Sequence, residues 1–277
     1  MKLLIAMAVL GLMSITIPVA ANVVNVAQEQ RILYQRDIYL IEVLEQALKA
    51  ANYSAELNFV AVHPHQQRTL LMLSQGEVDI HWGMTSTARE QLATAIKVPL
   101  FKGLIGWRVL LINQEYGAQF AAINDASQLK SLKALQGHDW PDTKILTQNG
   151  YTVLAQANYE QMFKLLALGR GDYFPRSVIE VHSELAARKD LPLMIEPHLL
   201  LKYPTAFYFF VNKEKVELSA ALQTGLTTML NNGEFDAIFT RYFAQYLNKL
   251  KLDTRNTFEL ENINVSEPLL ATDDFLH

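Results

Sequence analysis

The chain has 277 residues, half of them apolar and 19% charged, with 24 basic against 28 acidic side chains and no cysteine. That balance is globular, and a formal charge of −4 excludes a general nucleic-acid binder, which needs a basic face. The lack of cysteine excludes thiolate catalysis, thiolate-bound zinc and disulfides, and a core of this size needs no disulfide staples.

Met1-Lys2 and the apolar run Leu3 to Leu10, followed by Val19-Ala20-Ala21, predict an export signal over residues 1–21, cleaved after Ala21. Ser14, Thr16 and Pro18 interrupt it, so it is too short and broken for a stable span, an uncleaved anchor being the alternative. Removing it takes one Lys and no acid, leaving 23 − 28 = −5. The rest carries no later apolar run long enough to cross a bilayer. A soluble protein of the periplasm is the expectation.

Arg31 to Gln35 predicts a first strand, and Asp37 an N-cap for a helix with Leu40, Ile41, Leu44, Ala47 and Leu48 on one face. Ser54 to Val62 alternates as a second strand with Ala55, Leu57, Phe59 and Ala61 on one side. A helix over His65–Ser74, stopped by Gly76, and a strand over Val78–Trp82 follow. Strand, helix, strand, helix, strand in this order argues for an α/β layer with a mostly parallel sheet.

Gly106–Asn113 and Ala206–Asn212 are strongly β-prone and bracket a second α/β set of domain size. Within it, Leu129–Leu135 predicts a short helix, Thr143–Thr147 a strand, Asn149-Gly150 a turn, Tyr159–Leu168 a helix ended by Gly169, and Pro192–Ile195 a strand. The two bracketing strands would form a two-stranded hinge. Helices over Glu217–Asn231 and Glu234–Leu247 are separated by Gly233. The tail, Lys251 to His277, carries six acids without periodicity and is expected to pack loosely.

Three stretches carry a resemblance. They are Gly76-Glu77-Val78-Asp79-Ile80-His81-Trp82-Gly83-Met84-Thr85-Ser86-Thr87-Ala88-Arg89-Glu90, Pro99-Leu100-Phe101-Lys102-Gly103, and Leu168-Gly169-Arg170-Gly171-Asp172-Tyr173-Phe174-Pro175-Arg176. With the export signal and the two α/β sets, they resemble the family 3 extracellular solute-binding proteins over roughly residues 30–245. The resemblance implies an α/β, two-lobed type II periplasmic-binding-protein fold with two hinge strands and a central cleft. Residues 22–110 and 206–250 would form lobe 1, residues 111–205 lobe 2, and residues 251–277 a tail. It further implies a non-enzymatic protein that closes around a small polar ligand, an amino acid or related carboxylate, for delivery to the membrane subunits of an ABC transporter. No cofactor and no metal are implied. A sensory partner of a receptor and a dehydratase-like enzyme on the same fold are the alternatives.

The same resemblance implies that Arg89 grips an α-carboxylate, with Thr85 and Thr87 as hydroxyl donors. It gives Asp172 the α-ammonium and Tyr34 a place against the ligand side chain, and Trp82 and Trp140 are cleft candidates beside them. The Asp79-to-Arg89 spacing is shorter than the family's usual one, and Gly137-His138-Asp139-Trp140-Pro141-Asp142-Thr143 is bulkier than the family's small turn. Arg89 could instead cap a helix or pair with a surface acid, Asp172 could pair with Arg170 or Arg176, and the aromatics could be core. His138-Asp139 lacks a Ser or Cys nucleophile beside it in sequence, and His63-Pro64-His65 lacks the spacing of a metal site.

Overall fold

The structure is a computed structural model that describes residues 22–31 and 33–265; the expected export signal, residues 1–21, lies outside the described residues. The chain opens with β1 (Asn22–Glu29), α1 (Gln35–Ala50), β2 (Ala55–Val62), α2 (Gln66–Ser74), β3 (Ile80–Met84), α3 (Thr87–Leu92) and the short β4 (Thr94–Ala95). β5 (Trp107–Asn113) leads through α4 (Gly117–Ala121), α5 (Ala126–Lys130), β6 (Lys133–Gly137), α6 (Pro141–Gln148), β7 (Thr152–Gln156) and α7 (Tyr159–Ala167). After them come β8 (Phe174–Ser177), α8 (Val181–Ala186), β9 (Leu193–Ile195), β10 (Leu199–Lys202), β11 (Phe207–Val211), α9 (Val216–Asn231), α10 (Glu234–Leu250) and β12 (Asn256–Glu259).

Two sheets make two lobes. The first has the order β2-β1-β3-β11-β4, with β1 parallel to β2 and β3, and β11 antiparallel to β3 and β4. The second has the order β12-β10-β5-β8, with β9 also on β5. The parallel pair β6–β7 joins it through a bridge between Ala134 and Tyr173. The chain crosses between lobes from β4 to β5, returns from β10 to β11, and crosses again from α10 to β12. Beside the first two crossings Leu201 faces Arg108 and Lys202 faces Trp107, and the Tyr203 N–H donates to Gly106 O at 3.2 Å. β5 therefore pairs at the crossing with β10, while β11 is a strand of the first sheet.

Burial explains the central elements. Every residue of β3 and β11 is buried, as expected of strands covered on both faces, and β11 reads as an uninterrupted apolar run for that reason. On α1, the fully buried Tyr39 packs against the rings of Phe101, Phe239, Tyr242 and Phe243 and donates its hydroxyl to Leu100 O at 2.7 Å. An aromatic with one polar tip gains both apolar contact and a satisfied hydroxyl in such a setting. α9 comes so close to α1 that a Cβ on Gly225 would lie 1.8 Å from Ala47 O. Only glycine permits that approach.

Several sequence expectations need correction. The first strand is Asn22–Glu29, not Arg31–Gln35: Val24, Val26 and Ala27 are the buried residues, whereas Arg31 turns toward Asp37 at 2.7 Å and Gln35 already begins α1. Asp37 is not the N-cap of α1. Tyr34 holds that place, and Asp37, three residues in, accepts the Tyr34 N–H at 2.9 Å. On β2, Phe59 and Ala61 face outward, and Val62 packs under α2 with Leu70 and Leu73. Among the described strands β2 is the edge of its sheet, beside β1.

Thr143–Thr147 belongs to α6, which starts with Pro141 at its first position and Asp142 in its first turn and buries Ile145 and Leu146. Fixed proline φ and an acid near the helix start both favour that start. The expected helix over Leu129–Leu135 stops at Lys130, and the strand β6 takes over at Lys133.

The tail is packed as far as it is described. β12 lies parallel to β10, Leu260 is buried, and the Arg255 guanidinium donates to Leu250 O, Glu196 O and Leu199 O. Glu261 and Asn149 exchange hydrogen bonds of 2.8 and 3.0 Å, and Asn262 donates to Pro204 O. Asn264 donates to Gln148 on the second lobe, while its carbonyl accepts from the Thr87 N–H and hydroxyl on the first.

Candidate functional site

Glu29, Met84, Gly137 and Gln156, the last residues of β1, β3, β6 and β7, all line one cavity between the sheets. Ligands of open α/β sheets gather at the carboxyl ends of parallel strands. Arg36, Gln66 and Phe207 enter from the first lobe, Trp140, Tyr159, Arg176 and Glu180 from the second, and Arg108 from β5 beside the crossing. About 70 Å³ stays open, enough for a few waters or a small polar group.

The walls are a continuous ion network. Arg176 on β8 reaches Glu184 through two bonds, of 2.8 and 2.6 Å, and Glu180 at 2.9 Å. Arg108 meets Asp142 at 2.6 Å, Glu180 at 3.3 Å and the Tyr203 hydroxyl at 2.8 Å. Tyr203 in turn donates to Asp142. Arg36, from the start of α1, bonds Glu180 across the lobes and Asp37 at 3.0 Å. Arg31 forks onto Asp37 at 2.7 and 3.0 Å and reaches Glu29 at 2.7 Å.

Burial works against each charge and the partners overturn it. Desolvation pushes the Glu180 carboxyl up, but Arg176, Arg36 and Arg108 hold it down at about 2. Desolvation is likewise outweighed at Asp37, where Arg36 and Arg31 hold the carboxyl at about 2. Such mutually compensated groups are how charge survives in a buried setting.

The residues singled out from sequence fall in different places. Trp140 lines the cavity as the N-cap of α6, its ring seated on Gly137, where a Cβ would lie 2.4 Å from it. The Arg176 guanidinium lies 5.0 Å from the centre of that ring. Arg89 is buried in the wall and donates to Met84 O at 3.0 Å, Gln66 at 2.7 Å and, across the lobes, Asp139 O at 3.4 Å. Its buried guanidinium is lowered to about 10 by desolvation, against the pull of Asp139 and Asp142. It faces a neighbouring groove rather than the cavity.

Thr85 donates to Glu90 at 2.5 Å, and Thr87 is engaged by Asn264. Trp82 packs on Phe209 and lines a smaller void with His81, Glu29, Arg31 and Asp37. Tyr34 accepts a cross-lobe bond from Arg188 at 2.7 Å. Asp172 is placed away from the cavity, at the opposite end of β6. It accepts the Lys133 N–H at 2.6 Å and pairs with neither Arg170 nor Arg176.

The acids at the centre, Asp142, Glu180 and Glu184, went unread in the sequence. One signal was available: Glu180 and Glu184 stand four and eight residues after Arg176, though no periodicity says that all three turn inward. Next in sequence to Pro64 and Asp139 of the lining, His65 of the first lobe lies 4.3 Å from His63 and 5.0 Å from His138 of the second, ring centre to ring centre. Among the described residues no three His, Asp or Glu side chains are arranged to hold a metal ion.

No protein-family model matches the chain, and no curated protein does. Solved structures do match. A Salmonella typhimurium periplasmic binding protein with high arginine specificity superimposes with a TM-score of 0.62 at 17% identity, covering 80% of this chain and 100% of that one. An ancestral arginine-binding protein bound to glutamine gives 0.61 at 15%, over 80% and 98%. A histidine kinase sensor domain with similarity to periplasmic binding proteins gives 0.59 at 15%, over 80% and 96%. The chain has the two-lobed α/β fold of the periplasmic binding proteins, as the resemblance in its sequence implied.

Proposed function

We propose that this chain is a periplasmic solute-binding protein that takes a small polar solute, an amino acid or related carboxylate, between its lobes and hands it to the membrane subunits of an ABC transporter. One observation carries the reading: the cavity is walled by both lobes and bridged across them by Arg36 and Glu180. A solute touching both walls favours the closed form by the contacts that the open form lacks. The arginine and glutamine ligands of the structural neighbours support the solute class. Of the residues expected to hold the ligand, Trp140 is the direct contact, and Arg89 braces the wall.

A sensory role is the second reading, supported by the likeness to a kinase sensor domain. Thermal unfolding of residues 22–277 against amino acids, polyamines and organic acids tests the proposal. Ligand at a hundred times its dissociation constant adds about 2.7 kcal/mol, hence a midpoint rise of roughly 5–11 °C. A silent panel, together with unchanged small-angle scattering on adding each solute, would overturn it. Co-purification of a receptor kinase instead of a permease would favour the sensory role.

A further inference from the structure

The arginines of the cavity converge on one side chain. Glu180 sits between β8 and α8, with its carboxylate buried. One of its oxygens accepts from Arg36 of the first lobe, and the other accepts from Arg176 of the second lobe at 2.9 Å and Arg108 beside the crossing at 3.3 Å. Three guanidiniums from three parts of the fold thus surround one carboxylate, the arrangement by which proteins grip a bound anion.

The other acids cannot be that anion's rival, because each has its own duty. Asp142 is taken by Arg108 and Tyr203, Glu184 by Arg176 and Tyr159, and Asp37 by Arg31 and Arg36. Glu180 alone is shared by all three converging arginines. Without it, Arg36, Arg108 and Arg176 would keep one carboxylate partner each and face an empty common point.

We propose that Glu180 is a resident carboxylate occupying the anion position of the cleft, so that a solute's own carboxylate binds only by displacing it. The inference rests on the solute-binding reading and narrows it to amino acids recognised through their cationic or neutral polar groups, with simple carboxylates discriminated against. Lobe closure then needs no solute carboxylate, because Glu180 already bridges Arg36 to Arg176 across the cleft.

The test compares wild type, Glu180→Gln and Glu180→Ala by calorimetric titration with acetate, succinate, L-glutamine, L-arginine and putrescine. Acetate and succinate should bind Glu180→Gln at least about tenfold more tightly than wild type, the scale of one charge-assisted contact. Putrescine, which has no carboxylate, should show no such gain. Acetate should also raise the unfolding midpoint of Glu180→Ala and leave that of wild type unmoved, a rescue that reads out even where the variant is destabilised.

Equal affinity of wild type and Glu180→Gln for every carboxylate, or a Glu180→Ala protein that acetate does not rescue, would overturn the inference. If wild type binds an amino acid tightly and Glu180→Gln binds it no better, the assignment of Glu180 fails while the solute-binding function stands. If the variants gain acetate binding while wild type binds no solute, the assignment stands and the function fails.

Discussion

His81 makes stability depend on pH between its unfolded and folded pKa values. It lies on β3, 7% exposed, and neither ring nitrogen meets a hydrogen-bond partner among the described residues. Desolvation, then the nearby charges of Arg89 and Arg36, lower its pKa from 6.5 to about 3. Between those values the unfolded chain binds the proton and the folded chain does not, so stability rises with pH and levels off above 6.5. From pH 7 to pH 5 the loss from this one histidine is roughly 2 kcal/mol, or about 4–8 °C in the unfolding midpoint for a chain of this size.

Glu180 and Asp37 stay ionised throughout that interval, since both are held at about 2. The half-buried His182 is also lowered by desolvation and adds in the same direction. Urea unfolding of wild type and His81→Leu at pH 5, 6 and 7 therefore isolates His81 in the difference between the two proteins. The gap should narrow or reverse in favour of His81→Leu by about 2 kcal/mol as the pH falls. Parallel pH profiles would refute the reasoning.

Two further outcomes follow from close packing and from the tail. Gly225→Ala should lose about 1–3 kcal/mol by overpacking, because the new Cβ would lie 1.8 Å from Ala47 O. Alanine's helix propensity gains it only about 1 kcal/mol, and a variant more stable to urea than wild type would contradict the close approach of α9 to α1. Asn149→Ala removes both hydrogen bonds to Glu261 and should speed proteolytic trimming beyond residue 255, read by intact mass. An unchanged trimming rate would mean that these bonds do not hold the tail.

The fold was legible where local pattern and burial agree. α7, ended by Gly169, and α9 and α10, separated by Gly233, sit where their periodicity and glycines put them. It was misread where a few residues serve two purposes. Arg31-Ile32-Leu33-Tyr34 looks apolar enough for a strand, yet Arg31 and the Tyr34 backbone are drawn to Asp37. Thr143 to Thr147 contains β-prone residues, but Pro141 and Asp142 ahead of it set a helix.

The site was harder to read, because a cleft joins residues far apart in sequence. Arg36 and Glu180 are 144 positions apart, and Arg108 and Asp142 meet only because β5 and the start of α6 face each other across the lobe. Arg89 stood out for its neighbourhood, but its reach ends at Gln66 and the Asp139 carbonyl. Arg176 looked like a partner for Asp172. On β8, where every residue is buried, it lies instead against acids that come later in the chain.

The course of the tail has a mechanical consequence. Three covalent segments join the lobes, from β4 to β5, from β10 to β11 and from α10 to β12, and the stretch from Leu260 to Asn264 adds a further tie, at whose far end the Asn264 carbonyl accepts from the Thr87 N–H and hydroxyl. A joint with permanent covalent links and detachable hydrogen-bonded ones has two ranges of travel. Small excursions stretch the detachable link, and larger ones part it at the cost of two exposed hydrogen bonds, each worth about 1 kcal/mol. This tie comes from a segment outside the lining of the cavity, so ending the chain a few residues before Asn264 would remove it and leave the cavity's own lining residues in place.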